Sequence, residues 1–273
     1  MFQQLGQQIP AVALNFFKGV IAIICITLIL VPYGFSSIPR DSFLLLSLSG
    51  LVGICLGDTF YFLAINRLGS RLTLLIGTLI PVVSALIAFM LLKERIPFGA
   101  VVGLSLTITG VAYVLWDRTE IGSSVSNWKA GLFFAALFVL TNALGIIFTK
   151  VGVENVPSLD ATLVRTFWAV LGLLFWGLVT RSLVRWSVPI KEKKIRNRLL
   201  VASLVGAFLG TWFSVLALKF THTAVAVTLN STSPIFVLPL AAWILKERVS
   251  RRAISGAIAA CLGVAAYFFS IMQ

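Results

Sequence analysis

Nine apolar stretches, each about 20 residues long, follow one another along the chain with only short connections between them. They cover roughly residues 11–32, 43–65, 71–92, 97–116, 128–150, 159–180, 198–219, 223–245 and 251–270. A helix needs about 20 apolar residues to cross a bilayer. Lipid offers no hydrogen-bond partners, and a helix satisfies its backbone groups within itself. With 59% apolar and 11% charged residues, the chain has too little polar surface to cover a soluble globule. We therefore predict an all-α polytopic protein with nine transmembrane helices in the cell (inner or plasma) membrane.

The chain also contains an internal repeat. Residues 53–115 match residues 206–268 at a constant offset of 153, with 17 identities in 63 positions. "GICLGDTFYFLA" aligns with "GAFLGTWFSVLA", and "LLKER" aligns with "ILKER". The identities include proline, glycine and a charged tripeptide, so a chance match between apolar stretches is a poor explanation. Further upstream, residues 8–20 match 155–167 at an offset of 147.

Counting spans predicts that the two repeats are inverted. The second repeat, 128–273, has five spans, whereas the first, 1–117, has four because nothing in it corresponds to the helix at 128–150. Corresponding helices are therefore five spans apart, and an odd separation means that they cross the membrane in opposite directions. Inverted repeats are a recurrent architecture of secondary transporters, whose substrate sites lie near the midplane at the repeat interface.

Several motifs, in the same order in both halves, carry a family resemblance. A glycine-rich helix ending in "FYFLAI" is followed by a helix with a central proline, Pro81 or Pro234, then by "LKER" and by "G-x6-G-V-A". This pattern resembles the EamA branch of the drug/metabolite transporter superfamily. The resemblance implies ten helices in two inverted five-helix repeats that export or exchange small metabolites such as amino acids. The present sequence departs from that pattern because it lacks the first helix. Either it starts at an internal methionine of a longer gene, or the natural protein has nine spans.

Charge predicts an orientation. With the loops numbered alternately, one side of the membrane carries 15 Lys or Arg residues, seven of them in or beside the loop 181–197, and the other side carries 5. The positive-inside rule makes the first side cytoplasmic. The helix at 11–32 would then start in the cytoplasm and the carboxyl terminus would be external, whereas the family resemblance implies a cytoplasmic carboxyl terminus.

Three ionisable residues lie well inside predicted spans, namely Lys18, Asp58 and Arg165. A charge at the centre of a membrane helix costs about 2.5–3.5 kcal/mol, so such residues are expected to pair or to face a cavity. Lys18 and Asp58 each lie about seven residues from the same side, roughly 10 Å deep, and we predict that they form an ion pair or share a polar pocket. Arg165 matches Lys18 in the repeat, but Asp58 is replaced by Thr211. Arg165 could therefore bind a substrate carboxylate, unless it and Lys18 simply extend to the membrane surface.

Other candidates for the substrate pathway are hydroxyl, amide and aromatic residues near the repeated prolines and glycines. They are Tyr61, Thr78, Ser84, Trp212, Asn230 and Ser231, with Pro81 and Pro234 as the candidate helix kinks. A proline inside a span frees a backbone carbonyl, and nearby hydroxyls could either repair the backbone or line a cavity. The aromatic side chains could line the pathway or simply pack. Glycine steps such as Gly53 with Gly57 indicate close helix packing.

The sequence favours a secondary transporter over other classes of membrane protein. An enzyme would need a nucleophile with a base, paired carboxylates or a metal cluster, and a single histidine supplies none of these. No P-loop is present, and no cofactor or metal is expected. A channel or a non-transporting membrane scaffold fits the helices equally well. The expected partners are a small-molecule substrate and the lipid bilayer, with a homodimer left open and no nucleic acid, since anionic lipid explains the net charge of +13.

Overall fold

The computed structural model describes residues 2–92, 98–116, 127–187 and 192–220, together with eight single positions between 255 and 266. All regular structure among these residues is helical. The α-helices are α1 Phe2–Gly6, α2 Ala11–Tyr33, α3 Arg40–Ser49, α4 Thr59–Gly77, α5 Ile80–Leu92, α6 Phe98–Trp116, α7 Trp128–Gly152, α8 Ser158–Val179, α9 Leu183–Ser187, α10 Lys193–Ala202 and α11 Gly210–Phe220. Two π-helical segments, Gly50–Asp58 and Ser203–Leu209, join α3 to α4 and α10 to α11.

Five helical runs are long and apolar enough to cross a membrane. They are Ala11–Tyr33, Arg40–Ser70, Trp128–Gly152, Ser158–Val179 and Lys193–Phe220, and the described residues contain two shorter apolar helices, Leu72–Ile87 and Val101–Gly110. The chain is therefore an all-helical, multi-pass membrane protein. The predicted span at 223–245 lies outside the described residues, and that at 251–270 is described only at single positions. The arrangement of nine helices in two inverted repeats stays a prediction.

Prolines and glycines set the boundaries of these helices. α2 begins directly after Pro10 and α8 directly after Pro157, the residue that matches Pro10 in the repeat. A proline suits a helix start because its missing N–H would have no partner there. α2 ends before Gly34, and the chain turns inside α4 at Gly69, both with positive φ angles of 79° and 82°. Glycine adopts this backbone conformation without steric cost.

The predicted helix 71–92 is interrupted in the structure. α4 ends at Gly77 and α5 starts at Ile80, so that Pro81 lies in the first turn of a new helix instead of bending a continuous one. A proline is well tolerated in a first turn, because its nitrogen has no helical acceptor there. The expected kink therefore takes the form of a two-residue break at Thr78 and Leu79.

The π-helical segments begin at positions that the repeat relates. The first starts at Gly50 and the second at Ser203, an offset of 153. A π-helix displaces backbone groups from the regular hydrogen-bond ladder, and such segments often occur at functional sites. In the first segment the buried Asn15 side chain compensates: its Nδ2 donates to the carbonyl oxygens of Ile54 at 2.8 Å and Cys55 at 3.2 Å, and contacts Thr59 Oγ1 at 3.0 Å.

Helix contacts also occur in pairs that the repeat relates. α2 packs against its counterpart α8, α8 packs against the first π-helical segment, and α2 packs against the second. α7 packs along α3. In the other copy, α1 packs against α10. At the repeat offsets α1 corresponds to the last turn of α7, and α10 corresponds to α3. The same positions in the two copies therefore make corresponding contacts.

One close approach of two helical segments is a glycine-to-glycine contact. A Cβ atom added to Gly145 of α7 would lie 2.7 Å from the Cα of Gly53 in the first π-helical segment. Just before this segment, Ser49 at the end of α3 also bonds to α7: its hydroxyl donates to the Gly145 carbonyl at 2.7 Å and contacts Thr149 Oγ1 at 2.6 Å. Gly206, the repeat counterpart of Gly53, instead meets the ring of Phe2. The two copies thus differ in what covers their glycines.

We predict that Gly145→Ala destabilises the protein by roughly 1–3 kcal/mol. The new methyl group would meet backbone atoms of the facing segment and not a flexible side chain, so the two segments would have to move apart. The measurement is the midpoint of thermal unfolding in detergent. Gly210→Ala is the matched control, since a Cβ atom there meets nothing closer than the Val205 carbonyl oxygen at 3.5 Å. Equal midpoints for the two variants would contradict the glycine contact.

Candidate substrate cavity

A cavity of about 450 Å³ lies between the helices of the two repeats. Its lining comes from α1, α2, the two π-helical segments, α4, α5, α7, α8 and α11. The lining residues are Phe2, Lys18, Gly53, Ile54, Asp58, Tyr61, Phe62, Leu74, Gly77, Ile80, Phe138, Asn142, Gly145, Ile146, Arg165, Gly206, Gly210, Thr211, Ser214 and Leu218. Binding sites for small molecules commonly measure about 300–1,000 Å³, so a small metabolite fits in this volume.

Both members of several repeat-related pairs of positions line this cavity. Four such pairs contribute to the lining. They are Lys18 with Arg165, Gly53 with Gly206, Asp58 with Thr211, and Tyr61 with Ser214. Apart from the glycines, the two members of each pair are different residues. In two pairs the first copy has the charged or larger side chain, namely Asp58 against Thr211 and Tyr61 against Ser214. The cavity therefore lies where the two copies meet and where their chemistry differs.

Lys18 and Asp58 form an ion pair in this cavity, as their equal depth predicted. The side chain of Lys18 is 10% exposed and that of Asp58 is 25% exposed. Lys18 Nζ also lies 5.1 Å from the centroid of the Phe62 ring, within the range of a cation–π interaction. The ammonium group is thus held by a carboxylate and an aromatic ring inside the protein and does not extend to the membrane surface.

Arg165 lines the same cavity without a comparable partner. The residue is only 8% exposed, and a Cβ atom added to Gly53 would lie 3.9 Å from Arg165 Nη2, which places the guanidinium group beside the first π-helical segment. Within the described residues Arg165 forms no ion pair, and its Nε atom has no hydrogen-bond partner. Three other buried side-chain atoms described by the structure also lack partners, on Asn15, Trp168 and Ser203, but those residues do not line the cavity.

The break between α4 and α5 supplies backbone groups to the cavity. Gly77 and Ile80, on either side of the break, both line it. Pro81 has no N–H to donate to the Gly77 carbonyl, so a regular helical hydrogen bond is missing at this point. The Thr78 hydroxyl donates to the Leu75 carbonyl at 2.6 Å, and the Ser84 hydroxyl donates to the Ile80 carbonyl at 2.7 Å. These two hydroxyls therefore bond to nearby helix carbonyls, and neither residue is part of the cavity lining.

The aromatic candidates separate in the structure. Tyr61 lines the cavity and its ring packs on Phe138, with centroids 5.0 Å apart. Trp212 lies outside the lining, where it stacks on Phe208 and Phe213 and its indole N–H donates to Ser158 Oγ at 3.2 Å. The remaining candidates, Asn230, Ser231 and Pro234, lie outside the described residues.

Asn142 and Ser214 also line the cavity, but the sequence alone did not single them out. Asn142 lies on α7, and its counterpart at the offset of 147 would precede residue 1, so comparing the two copies gives no information about it. An asparagine inside an apolar span is unusual in itself and could have served as the indication. Ser214 could have been found as the counterpart of Tyr61.

Two lysines join the end of α11 to the connection between α7 and α8. Lys150 Nζ donates to the Leu218 carbonyl and Lys219 Nζ donates to the Val156 carbonyl, both at 2.9 Å. Lysines at helix ends satisfy carbonyls that have no partner within the helix. Since Leu218 lines the cavity, these contacts hold together one end of it.

Comparison with known proteins connects this fold to transport. An uncharacterized transporter of Archaeoglobus fulgidus is 25% identical over 223 residues, which cover 81% of this chain and 74% of the relative. Protein LicB of Haemophilus influenzae is 26% identical over 144 residues, covering 53% of this chain and 48% of that protein. A solved crystal structure with 17% identity superposes with a TM-score of 0.66 over 94% of this chain and 86% of the other, which shows a shared fold.

The family comparison covers most of the chain. The model of the EamA-like transporter family matches residues 1–116 and 129–269. The family and the archaeal relative are described as transporters and not as enzymes. The chain belongs to the EamA-like transporter family and is a multi-pass transporter of the cell membrane.

Proposed function

We propose that this protein is a secondary transporter that exports or exchanges a small metabolite, such as an amino acid, by alternating access between its two repeats. The observation that supports this proposal best is the cavity lined by four repeat-related pairs of residues. In inverted-repeat transporters the substrate binds between the repeats, and rocking of one repeat against the other exposes the site to each side of the membrane in turn.

The polar and apolar parts of the cavity suit a metabolite. Charged groups on Lys18, Asp58 and Arg165 are combined with the rings of Tyr61 and Phe138 in one cavity. A small number of polar groups placed in an apolar cavity gives orientation and specificity. The two lysine contacts to carbonyl oxygens at the α11 end are hydrogen bonds that can break and re-form, as a closing gate requires.

A channel and a non-transporting scaffold are the alternatives, and counterflow separates them from a carrier. Purified protein is placed in liposomes loaded with an unlabelled mixture of the common amino acids, and trace labelled amino acids are added outside. A carrier accumulates label transiently above its equilibrium level, because inward-facing sites return occupied by unlabelled solute. Simple equilibration at a rate that does not saturate would indicate a channel. If amino acids are not carried, a metabolite whose level changes on overproduction of the protein replaces them.

Neighbouring residues on α11 provide a test that needs no known substrate. Ser214 lines the cavity, whereas Phe213 does not line it and is 54% exposed on the helix surface. In a background without Cys25, Cys55 and Cys261, we expect Ser214→Cys to react with a membrane-impermeant maleimide applied to either side of sealed vesicles, because the cavity opens to both sides in turn. Phe213→Cys, facing lipid, should stay unlabelled. Labelling of Ser214→Cys from neither side would favour a scaffold, and labelling from one side only would contradict alternating access.

A further inference from the structure

The charges on the described residues that line the cavity do not balance. Among the described residues of the lining, Lys18 and Arg165 are cationic and Asp58 is anionic, which leaves one net positive charge. On the basis of the proposed transport function, we propose that the transported solute is an organic anion with one net negative charge, and that Arg165 binds its carboxylate.

The binding site for the anion is the guanidinium group of Arg165. This side chain is more than nine-tenths buried, points into the cavity beside Gly53, and has a buried Nε without a hydrogen-bond partner. A guanidinium group carries five N–H donors in a planar fork that matches the two oxygens of a carboxylate. A buried charge is unfavourable, and the described residues give Arg165 no ion pair, so binding an anion reduces a cost that the empty site carries.

The corresponding site for a cation is already occupied by the chain itself. The carboxylate of Asp58 is paired with the ammonium group of Lys18, and the same ammonium lies over the Phe62 ring. A cationic solute attracted by the carboxylate and the aromatic rings would have to displace Lys18. It would also add a positive charge to a cavity that already contains Arg165. The charge arrangement therefore disfavours cations, although the aromatic lining alone would suit them.

The rest of the lining indicates the shape of the anion. Tyr61, Phe138 and Leu74 give apolar surface, and Asn142 adds an amide that can donate or accept. Asn142 Nδ2 is within 3.2 Å of the Phe138 carbonyl, so its oxygen stays available to a hydroxyl or amine of the solute. A small carboxylate with an apolar portion fits these groups. An acidic amino acid has the required net charge, whereas a neutral amino acid does not.

The first test measures the net charge of what the protein moves. Metabolites are profiled inside and outside cells that produce the wild-type protein, the Arg165→Gln variant, or neither. We expect the compounds redistributed by the wild type to carry one net negative charge at neutral pH and to return to background levels with Arg165→Gln. Arg196→Gln on α10 makes the same chemical change at an exposed position and serves as the matched control.

The possible results separate the two proposals. Redistribution of neutral, cationic or dianionic compounds would overturn the charge assignment and leave the transport function standing. Redistribution of monoanions that persists with Arg165→Gln would overturn the role of Arg165. A wild-type protein that redistributes nothing would count against transport itself, and against this inference with it.

The second test changes the charge balance in both directions, using counterflow of the leading monoanion. Arg165→Gln reduces the net charge to zero, and we expect the half-saturating concentration to rise roughly 10- to 100-fold, as befits the loss of charge-assisted hydrogen bonds. Arg165→Lys keeps the positive charge but loses the planar set of N–H donors, so we expect a smaller rise in the half-saturating concentration. Asp58→Asn frees Lys18 and raises the net charge to two, so succinate, a dianion, should compete at concentrations at least about 10-fold lower than with the wild type.

Asp58→Asn keeps the inference testable if Arg165→Gln does not fold. Each variant is first checked for a single peak in detergent size-exclusion chromatography. Unchanged competition by succinate in Asp58→Asn, or an unchanged half-saturating concentration in a folded Arg165→Gln, would overturn the proposal.

Discussion

Lipid provides no hydrogen-bond partners, and the structure of this protein follows from the need to supply them internally. Asn15 compensates for the displaced carbonyls of the first π-helical segment, and Ser49 connects that side of the cavity to α7 through Thr149 and the Gly145 carbonyl. Hydroxyls beside the α4–α5 break bond to backbone carbonyls in the same way. These contacts fix irregular backbone at membrane depth, where it is tolerated only inside protein or along a cavity.

The same requirement distinguishes Arg165 from the other buried charges. Lys18 has the Asp58 carboxylate and an aromatic ring, so its charge is compensated within the chain. Arg165 occupies the equivalent position in the other repeat, but Thr211 stands where the second carboxylate would be. A buried cation that the described residues leave without an ion pair is costly, and a cavity that admits an anion offsets that cost when the anion is bound.

The sequence predicted the helical membrane architecture and the Lys18–Asp58 pair, because both follow from simple periodicities: span length and depth along a helix. It could not predict the π-helical segments or the break at Thr78 and Leu79, which depend on small differences in backbone hydrogen bonding between helix types. Asn142 was missed for another reason, since its counterpart in the first repeat would precede residue 1. For Thr78 and Ser84, composition alone could not distinguish hydroxyls that bond to nearby helix carbonyls, as observed, from hydroxyls that line the cavity.

Duplication explains why the cavity is asymmetric in charge while its framework is similar in both halves. The glycines and the two π-helical segments occur in both copies, as close helix contact requires. With a carboxylate at position 211 as well as at position 58, the described lining would carry no net charge. Replacement of one carboxylate by a hydroxyl changes the charge by one unit and the volume only slightly. Divergence at this single repeat-related position accounts for the net positive charge of the described lining, on which the proposed preference for an anion rests.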